Sequence, residues 1–305
     1  MVESAVYLSK FNQIVGAIFR AVFYQPVFNV IVLFYRLFGN NLGLAIISVA
    51  ALSRIITYPM TKAQIKSAEK SKECQSKYDA LKKKYGKNKE KLNEELMKLQ
   101  GQYLPGQLGG CLPTIILLIF LIQVRNVIRA LVDQGGAAFN EVAYSFLSKF
   151  PDDAVINLDF LGMDLSKTAT DFSWTDSAII PYVILAIAVG ATQFLSSRIL
   201  TGIRGADKAG KKNDKKKDEK NKKKKEDEDM PDMSSMMGMA SKQMMFLFPV
   251  ITIVTSLGYW GGSKFFPSGI SLFWTVQNLF VIIQHMLMNK EDTLKWFNST
   301  FKKKK

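Results

Sequence analysis

The chain has 305 residues, 48% of them hydrophobic, and carries a formal net charge of +15. Its apolar and charged residues occupy separate stretches, which indicates a membrane protein with basic aqueous segments. The two cysteines, Cys74 and Cys111, belong to no C-x-x-C pair and to no His/Cys ligand set, which argues against a disulfide framework and against a zinc site.

The N-terminal segment, residues 1–41, lacks a basic region followed by an apolar run and a small-residue cleavage site, so we expect no cleaved signal peptide. Its apolar piece, Val27 to Phe38, carries Arg36 and is shorter than the roughly 20 residues that cross a bilayer. We therefore interpret this piece as an amphipathic helix that lies in the membrane interface. A sixth membrane span at this position is the main alternative.

Five later stretches are apolar over about the length that a membrane-spanning helix needs, roughly 20 residues. They predict an all-α membrane protein with five transmembrane helices. The stretches cover residues 42–60, 108–132, 178–200, 242–262 and 268–288.

The segments that connect these spans differ in composition. Residues 61–104 are basic and have apolar residues at helical spacing, and Gly86 and Asn88 interrupt the pattern. This predicts two amphipathic helices folded into a hairpin. Of the other segments, residues 133–177 form a mainly acidic loop, residues 201–241 a charged loop that we expect to be disordered, and residues 289–305 a basic tail.

The charges of the connections also predict the orientation of the chain, because Lys and Arg favour the cytoplasmic side of a membrane. The hairpin, the charged loop and the C-terminal tail are basic, whereas the loop 133–177 is acidic. Five spans with the N-terminus outside and the C-terminus in the cytoplasm satisfy all four placements. A bacterial plasma membrane is the expected location.

Polar side chains within the predicted spans are the candidates for function. Arg54 lies in the first span, where a charge is costly, and the predicted spans contain no acidic residue to pair with it. Its side chain could snorkel to the inner headgroups, or it could face a wetted cavity. Gln277 and Gln284 are seven positions apart and Trp274 precedes Gln277 by three, so these side chains predict a polar stripe on one helix face.

Six further motifs follow the span that holds Arg54: "PMTKAQIKSAEK", "GGCLPTIILLIF", "DFLGMDLS", "ATQFL", "MMFLFPVI" and "GISLFWTVQNLFVIIQ". Their order and spacing resemble the YidC/Oxa/Alb family of membrane protein insertases, from about Val22 to about Met288. The resemblance implies a five-span core around a hydrophilic groove that opens to the cytoplasm and to lipid. It further implies an ATP-independent insertase and chaperone that needs no cofactor.

The resemblance places Arg54 at the position of the groove arginine. Gln193 and Trp274 match its other groove-lining positions, although Gln193 could instead bond a neighbouring helix and Trp274 could belong to an interfacial belt. The chain departs from the family pattern where "LPTIILL" lacks a glutamine, which follows only at Gln123. It departs again at Gly162, which replaces a tryptophan. The groove candidates are thus Arg54, Gln193, Trp274 and Gln277, followed by Thr57, Gln123 and Gln284.

No enzyme motif accompanies these residues. The sequence has no G-x-x-x-x-G-K-[ST] phosphate loop, G-x-S-x-G elbow or H-E-x-x-H helix, so we expect neither an active site nor a nucleotide or metal requirement. The expected partners are nascent membrane proteins, with the ribosome, the Sec translocon and anionic lipids as further candidates. A small-solute transporter and a non-catalytic assembly scaffold are the competing functions.

Overall fold

The computed structural model describes residue 14 and residues 16–85, 88–108, 112–151, 153–204, 246–260 and 265–288. The predicted basic tail lies outside these ranges. So does the predicted charged loop from residue 205 onward, and with it the expectation that this loop is disordered.

Helices dominate the described residues, and a two-stranded antiparallel sheet is added to them in the acidic loop. The first helix, α1, contains a π-helical turn at Arg20–Tyr24. In chain order the elements are α1 (Gly16–Leu37), α2 (Leu42–Tyr85), α3 (Lys89–Leu108), α4 (Leu112–Gln134), α5 (Gly136–Asn140), β1 (Asp159–Phe160), β2 (Met163–Asp164), α6 (Ile180–Arg204), α7 (Phe246–Leu257) and α8 (Ser268–Met288).

Within the described ranges, five helical stretches are long and apolar enough to cross a membrane, in agreement with the predicted all-α membrane fold. Four of them correspond to predicted spans, and their bounds are Leu42–Ala63, Ile115–Gln134, Ser177–Ile199 and Ser268–Leu287.

The fifth candidate span differs from the sequence-based expectation. It is Gly16–Leu37, because α1 begins well before the apolar piece Val27 to Phe38. The predicted span 242–262 corresponds to α7, which has only 12 described helical residues; residues 242–245 before it and 261–262 at the end of the predicted span lie outside the described ranges. Whether α1 spans the membrane or lies on it stays a prediction.

The corner between α1 and α2 consists of two residues with left-handed backbone conformations, followed by an asparagine whose side chain caps α2. Gly39 and Asn40 have φ of 65° and 63°, and the Asn40 amide donates to the Tyr35 carbonyl at 2.8 Å, which ends α1. The Asn41 side chain then accepts from the Leu44 amide at 2.9 Å and starts α2.

The segment that predicts a hairpin contains two helices. Helix α2 continues past Pro59 to Tyr85, and α3 begins at Lys89. Asn88 lies between them: its amide donates to the Tyr85 carbonyl at 2.8 Å, and its side chain accepts from the Lys91 amide at 3.1 Å. The asparagine that interrupts the sequence pattern is thus also the residue that caps α3.

The acidic loop packs against α1 and against the start of α2. The Asn29 side chain donates to the Val142 carbonyl at 2.8 Å and accepts from the Tyr144 amide at 2.9 Å. The β1–β2 hairpin sets the Phe160 ring directly against Gly43, so closely that a Cβ atom at position 43 would collide with it. Glycine at this position therefore allows the hairpin to approach α2.

The chain divides into two compact units. The first contains the residues up to 55, together with 116–190 and 252–277, and the second contains 56–115, 191–251 and the residues from 278 onward. The largest apolar side chains buried in the first unit come from α1, α2, α4, α5, α8 and the acidic loop. They are Phe28, Ile31, Leu42, Ile46, Ile128, Phe139, Leu165, Ile270 and Phe273.

Candidate functional site

The structure brings Arg54 and Gln277 together within the first unit. Arg54 lies in the candidate span Leu42–Ala63 and is half-buried. Its Nε atom donates a hydrogen bond to Oε1 of Gln277, which is on α8 and is only 1% exposed. Two candidates that the sequence singled out for different reasons are therefore direct partners.

The amide of Gln277 is also bonded to α2 through its nitrogen. Nε2 donates to Oγ of Ser53 at 2.5 Å and to the carbonyl of Ala50 at 3.2 Å. Oγ of Ser53 in turn donates to the Ala50 carbonyl at 2.8 Å. A serine hydroxyl can accept and donate at once, so these bonds form one connected network around the Gln277 amide.

The Gln277 amide brings no charge to this network. An acidic residue would bring one, but among the described residues the five candidate spans contain a single acid, Asp133, which pairs with Arg129 at 3.4 Å. Moving a charged side chain to the centre of a bilayer costs about 3 kcal/mol on insertion scales. An amide that accepts from a guanidinium orients it without cancelling its charge.

Two other candidates in the first unit have different surroundings. Trp274 is half-buried, and its ring lies 5.9 Å from the ring of Phe266. Gln123 is 1% exposed, and its Nε2 has no hydrogen-bond partner among the described residues. A buried amide nitrogen without an acceptor is energetically costly.

The remaining candidates belong to the second unit. Nε2 of Gln193 donates to Oγ of Ser197 at 3.3 Å, which is a bond within α6 itself. The carbonyl of Thr57 accepts from the Thr61 hydroxyl at 3.2 Å, and Gln284 is buried. The structure thus does not group Gln193, Thr57 and Gln284 with Arg54 in one unit.

Sequence reasoning missed Ser53 and the Ala50 carbonyl. Small residues such as serine and alanine within an apolar run are common where helices approach each other closely. Their presence at positions 50 and 53 was the only sequence signal that could have indicated this contact. The approach is visible here, since the Gln277 side chain reaches the backbone of α2.

Within the described ranges, no group of three or more His, Cys, Asp or Glu side chains could hold a metal ion.

Comparison with known proteins shows which family this chain resembles in sequence. Residues 33–295 match the family described as 60Kd inner membrane protein. A relative from Fusobacterium nucleatum named "Membrane protein insertase YidC" is 26% identical over 252 residues, which are 83% of this chain and 88% of the relative. Proteins with the same name from Histophilus somni and Actinobacillus succinogenes are 26% and 27% identical over 92% and 87% of this chain. The aligned regions are only 39% and 36% of those two longer relatives.

Proposed function

The chain belongs to the 60Kd inner membrane protein family, which is the YidC/Oxa family, and from this membership we propose that it inserts nascent membrane proteins into the plasma membrane and helps them fold. The name of the relatives, membrane protein insertase, supports this function, as do the five candidate spans. The proposed activity uses neither a nucleotide nor another cofactor.

The observation that carries the proposal is the position of Arg54. It places a positive charge within a candidate membrane span, and Gln277, which accepts a hydrogen bond from its Nε atom, is neutral. A protein keeps such a charge at considerable cost, so intramembrane arginines mark functional sites by default. A water-filled groove that admits polar segments of a substrate both lowers this cost and gives the charge a role.

In this mechanism the substrate itself supplies the driving force. Its apolar helix gains free energy on reaching lipid, whereas its polar or acidic tail loses free energy in crossing hydrocarbon. A wet groove shortens the apolar distance, and Arg54 attracts acidic residues of the tail into it. We place Gln193, Trp274 and Gln277 along this groove, followed by the second-tier candidates Thr57, Gln123 and Gln284.

The proposed orientation has the N-terminus outside, the C-terminus in the cytoplasm and the α2–α3 hairpin facing arriving substrates. The basic side chains of the hairpin and of the C-terminal tail would then contact the ribosome or anionic lipids. Action beside the Sec translocon is compatible with the same arrangement.

Water access to position 54 tests the groove. In a chain without Cys74 and Cys111, we expect Arg54→Cys to react with a membrane-impermeant thiol reagent added from the cytoplasmic side. The matched control is Ile55→Cys, because Ile55 is 68% exposed but apolar and in our proposal faces lipid. Ile46→Cys, in the buried core, is a second control. Protection of position 54 at the level of these controls would contradict a cytoplasm-open groove.

Substrate insertion tests the role of the charge. Full-length protein in proteoliposomes receives two single-span substrates that differ only in whether the translocated tail carries acidic residues or their amide counterparts. We expect Arg54→Ala to lower insertion of the acidic-tail substrate by about tenfold, and Arg54→Lys to restore part of it. Full activity of Arg54→Ala on acidic tails would overturn the proposal and favour a scaffold that needs no buried charge.

A further inference from the structure

We propose that Gln277, fixed by Ser53, is a specificity-determining residue for acidic substrate tails: its amide orients the Arg54 guanidinium and leaves the positive charge intact. Because this inference rests on the proposed insertase function, it deepens that function rather than replacing it. It adds two positioning residues on different helices to the arginine that attracts the substrate.

The network fixes which end of the Gln277 amide faces Arg54. A backbone carbonyl can only accept hydrogen bonds, and the Ala50 carbonyl lies 3.2 Å from Nε2 of Gln277. The Ser53 hydroxyl already donates to that same carbonyl, so toward Gln277 it acts as an acceptor. The NH₂ group must therefore point toward Ser53 and Ala50, and the oxygen points toward Arg54.

This orientation matters because a guanidinium has donors and no acceptor. If the amide were reversed, its NH₂ group would oppose the N–H of Arg54 and its oxygen would oppose the Ala50 carbonyl. The observed bond uses Nε, the guanidinium nitrogen nearest the stem, so it sets the direction in which Nη1 and Nη2 point. Ser53 thus acts on Arg54 through Gln277, without a contact to the substrate.

The neutrality of Gln277 keeps the Arg54 charge available to a substrate. Gln277 and Ser53 are 1% and 5% exposed, so interactions at this point are poorly screened by water and salt. A glutamate at position 277 has nearly the same shape and could accept the same bond from Arg54. It would cancel the charge, however, and would compete with the carboxylates of a substrate tail for the guanidinium.

Replacement of Gln277 by Glu is the direct test, with the acidic-tail and amide-tail substrates in proteoliposomes of the full-length chain. We expect Gln277→Glu to lower insertion of the acidic-tail substrate about tenfold relative to the amide-tail substrate. Insertion of the amide-tail substrate also reports that the variant is folded. An unchanged ratio between the two substrates would overturn the inference.

A second pair of variants tests the positioning role of Ser53. We expect Ser53→Ala to lower the acidic-to-amide insertion ratio by about threefold, the effect of one lost neutral hydrogen bond, and Ser53→Thr to keep the ratio because it retains the hydroxyl. Ser256→Ala is the matched control, since Ser256 is also a buried serine of an apolar helix, α7, and its Oγ has no partner among the described residues. Equal ratios for Ser53→Ala and wild type would contradict the positioning role.

The Arg54→Ala background separates this inference from the function on which it rests. There we expect Ser53→Ala to have no further effect on the ratio, because the network acts only through the arginine. If Arg54→Ala itself leaves acidic-tail insertion unchanged, the proposed function fails. If Arg54→Ala impairs insertion but Gln277→Glu and Ser53→Ala do not, only the network proposal fails.

Discussion

The hydrogen bond between Arg54 and Gln277 joins residues that are 223 positions apart in the chain. Each residue had a separate signal in the sequence: Arg54 as a charge in an apolar run, and Gln277 as part of a polar stripe with Trp274 and Gln284. Nothing in the sequence indicated that the two residues contact each other, or that Gln277 bonds Ser53. At the residue scale, the side-chain chemistry was predictable and its geometry was not.

Cys74 gives a prediction at this scale that is independent of the proposed function. Partial burial in α2 raises the pKa of the Cys74 thiol, and nearby Glu73 acts in the same direction, whereas Lys77 opposes it. A raised pKa means less thiolate at a given pH. In a Cys111→Ser chain we therefore expect Cys74 to react with iodoacetamide more slowly at pH 8 than an unperturbed thiol, with a rate that is still rising above that pH.

The control for Cys74 is a single cysteine introduced at the exposed position Ser76 of the same helix, in a chain without the native cysteines. Equal pH–rate profiles for the two thiols would show that burial does not shift the Cys74 pKa.

At the element scale, side-chain caps that are local in sequence define the helix boundaries, whereas hydrogen bonds between residues far apart in the chain attach a helix to its neighbours. Asn88 and Asn41 cap α3 and α2 with side chains that lie three residues from the amides they bind. Asn29, in contrast, is buried on α1 and bonds backbone groups of the acidic loop more than 110 positions away. Nothing in the local sequence distinguishes this asparagine from a solvent-facing one.

Asn29→Ala measures how strongly α1 is attached to the acidic loop. The substitution removes the acceptor of the Tyr144 amide and one of the donors to the Val142 carbonyl, in a buried setting. We expect the free energy of unfolding to fall by about 1–3 kcal/mol, measured by thermal or denaturant unfolding in detergent micelles. Asn93→Ala on the exposed side of α3 is the control and should be near neutral. A loss no larger than that of this control would mean that the Asn29 bonds contribute little.

At the scale of the whole molecule, the number of spans and their membrane topology are separate questions. Length and composition make Gly16–Leu37 a candidate span. Its contacts favour a different placement. Asn29 bonds the acidic loop, the Tyr35 hydroxyl accepts from the Asn157 amide at 2.9 Å, and the Arg36 guanidinium lies 4.1 Å from the centre of the Phe150 ring. A loop on one side of the bilayer therefore contacts α1 over most of its second half.

We accordingly expect α1 to lie along the outer surface rather than to cross the bilayer. A single cysteine in place of Arg20, whose side chain is exposed, should react with an impermeant thiol reagent added from outside. Lys98→Cys, on the exposed surface of α3, is the control and should react only from the cytoplasmic side. Reaction of position 20 only from the cytoplasm would show that α1 spans the membrane, which is the six-span alternative.

The sequence by itself determined that this is a helical membrane protein, where four of its candidate spans lie, where the helices of the basic segment are interrupted and which side chains are polar within the candidate spans. These features follow from local rules, because a span must be about 20 apolar residues long and must satisfy its backbone hydrogen bonds internally. The family resemblance also rests on motifs that are local in the chain.

Only the tertiary structure decided which polar groups meet. It showed that Arg54 donates to the neutral amide of Gln277 and that this amide in turn donates to Ser53 and to the Ala50 carbonyl. It also showed that α1 begins closer to the N-terminus than expected and is hydrogen-bonded to the acidic loop. The physical reason is that a hydrogen bond depends on atoms within about 3 Å of each other. Such proximity between residues far apart in the chain arises only when the helices have packed.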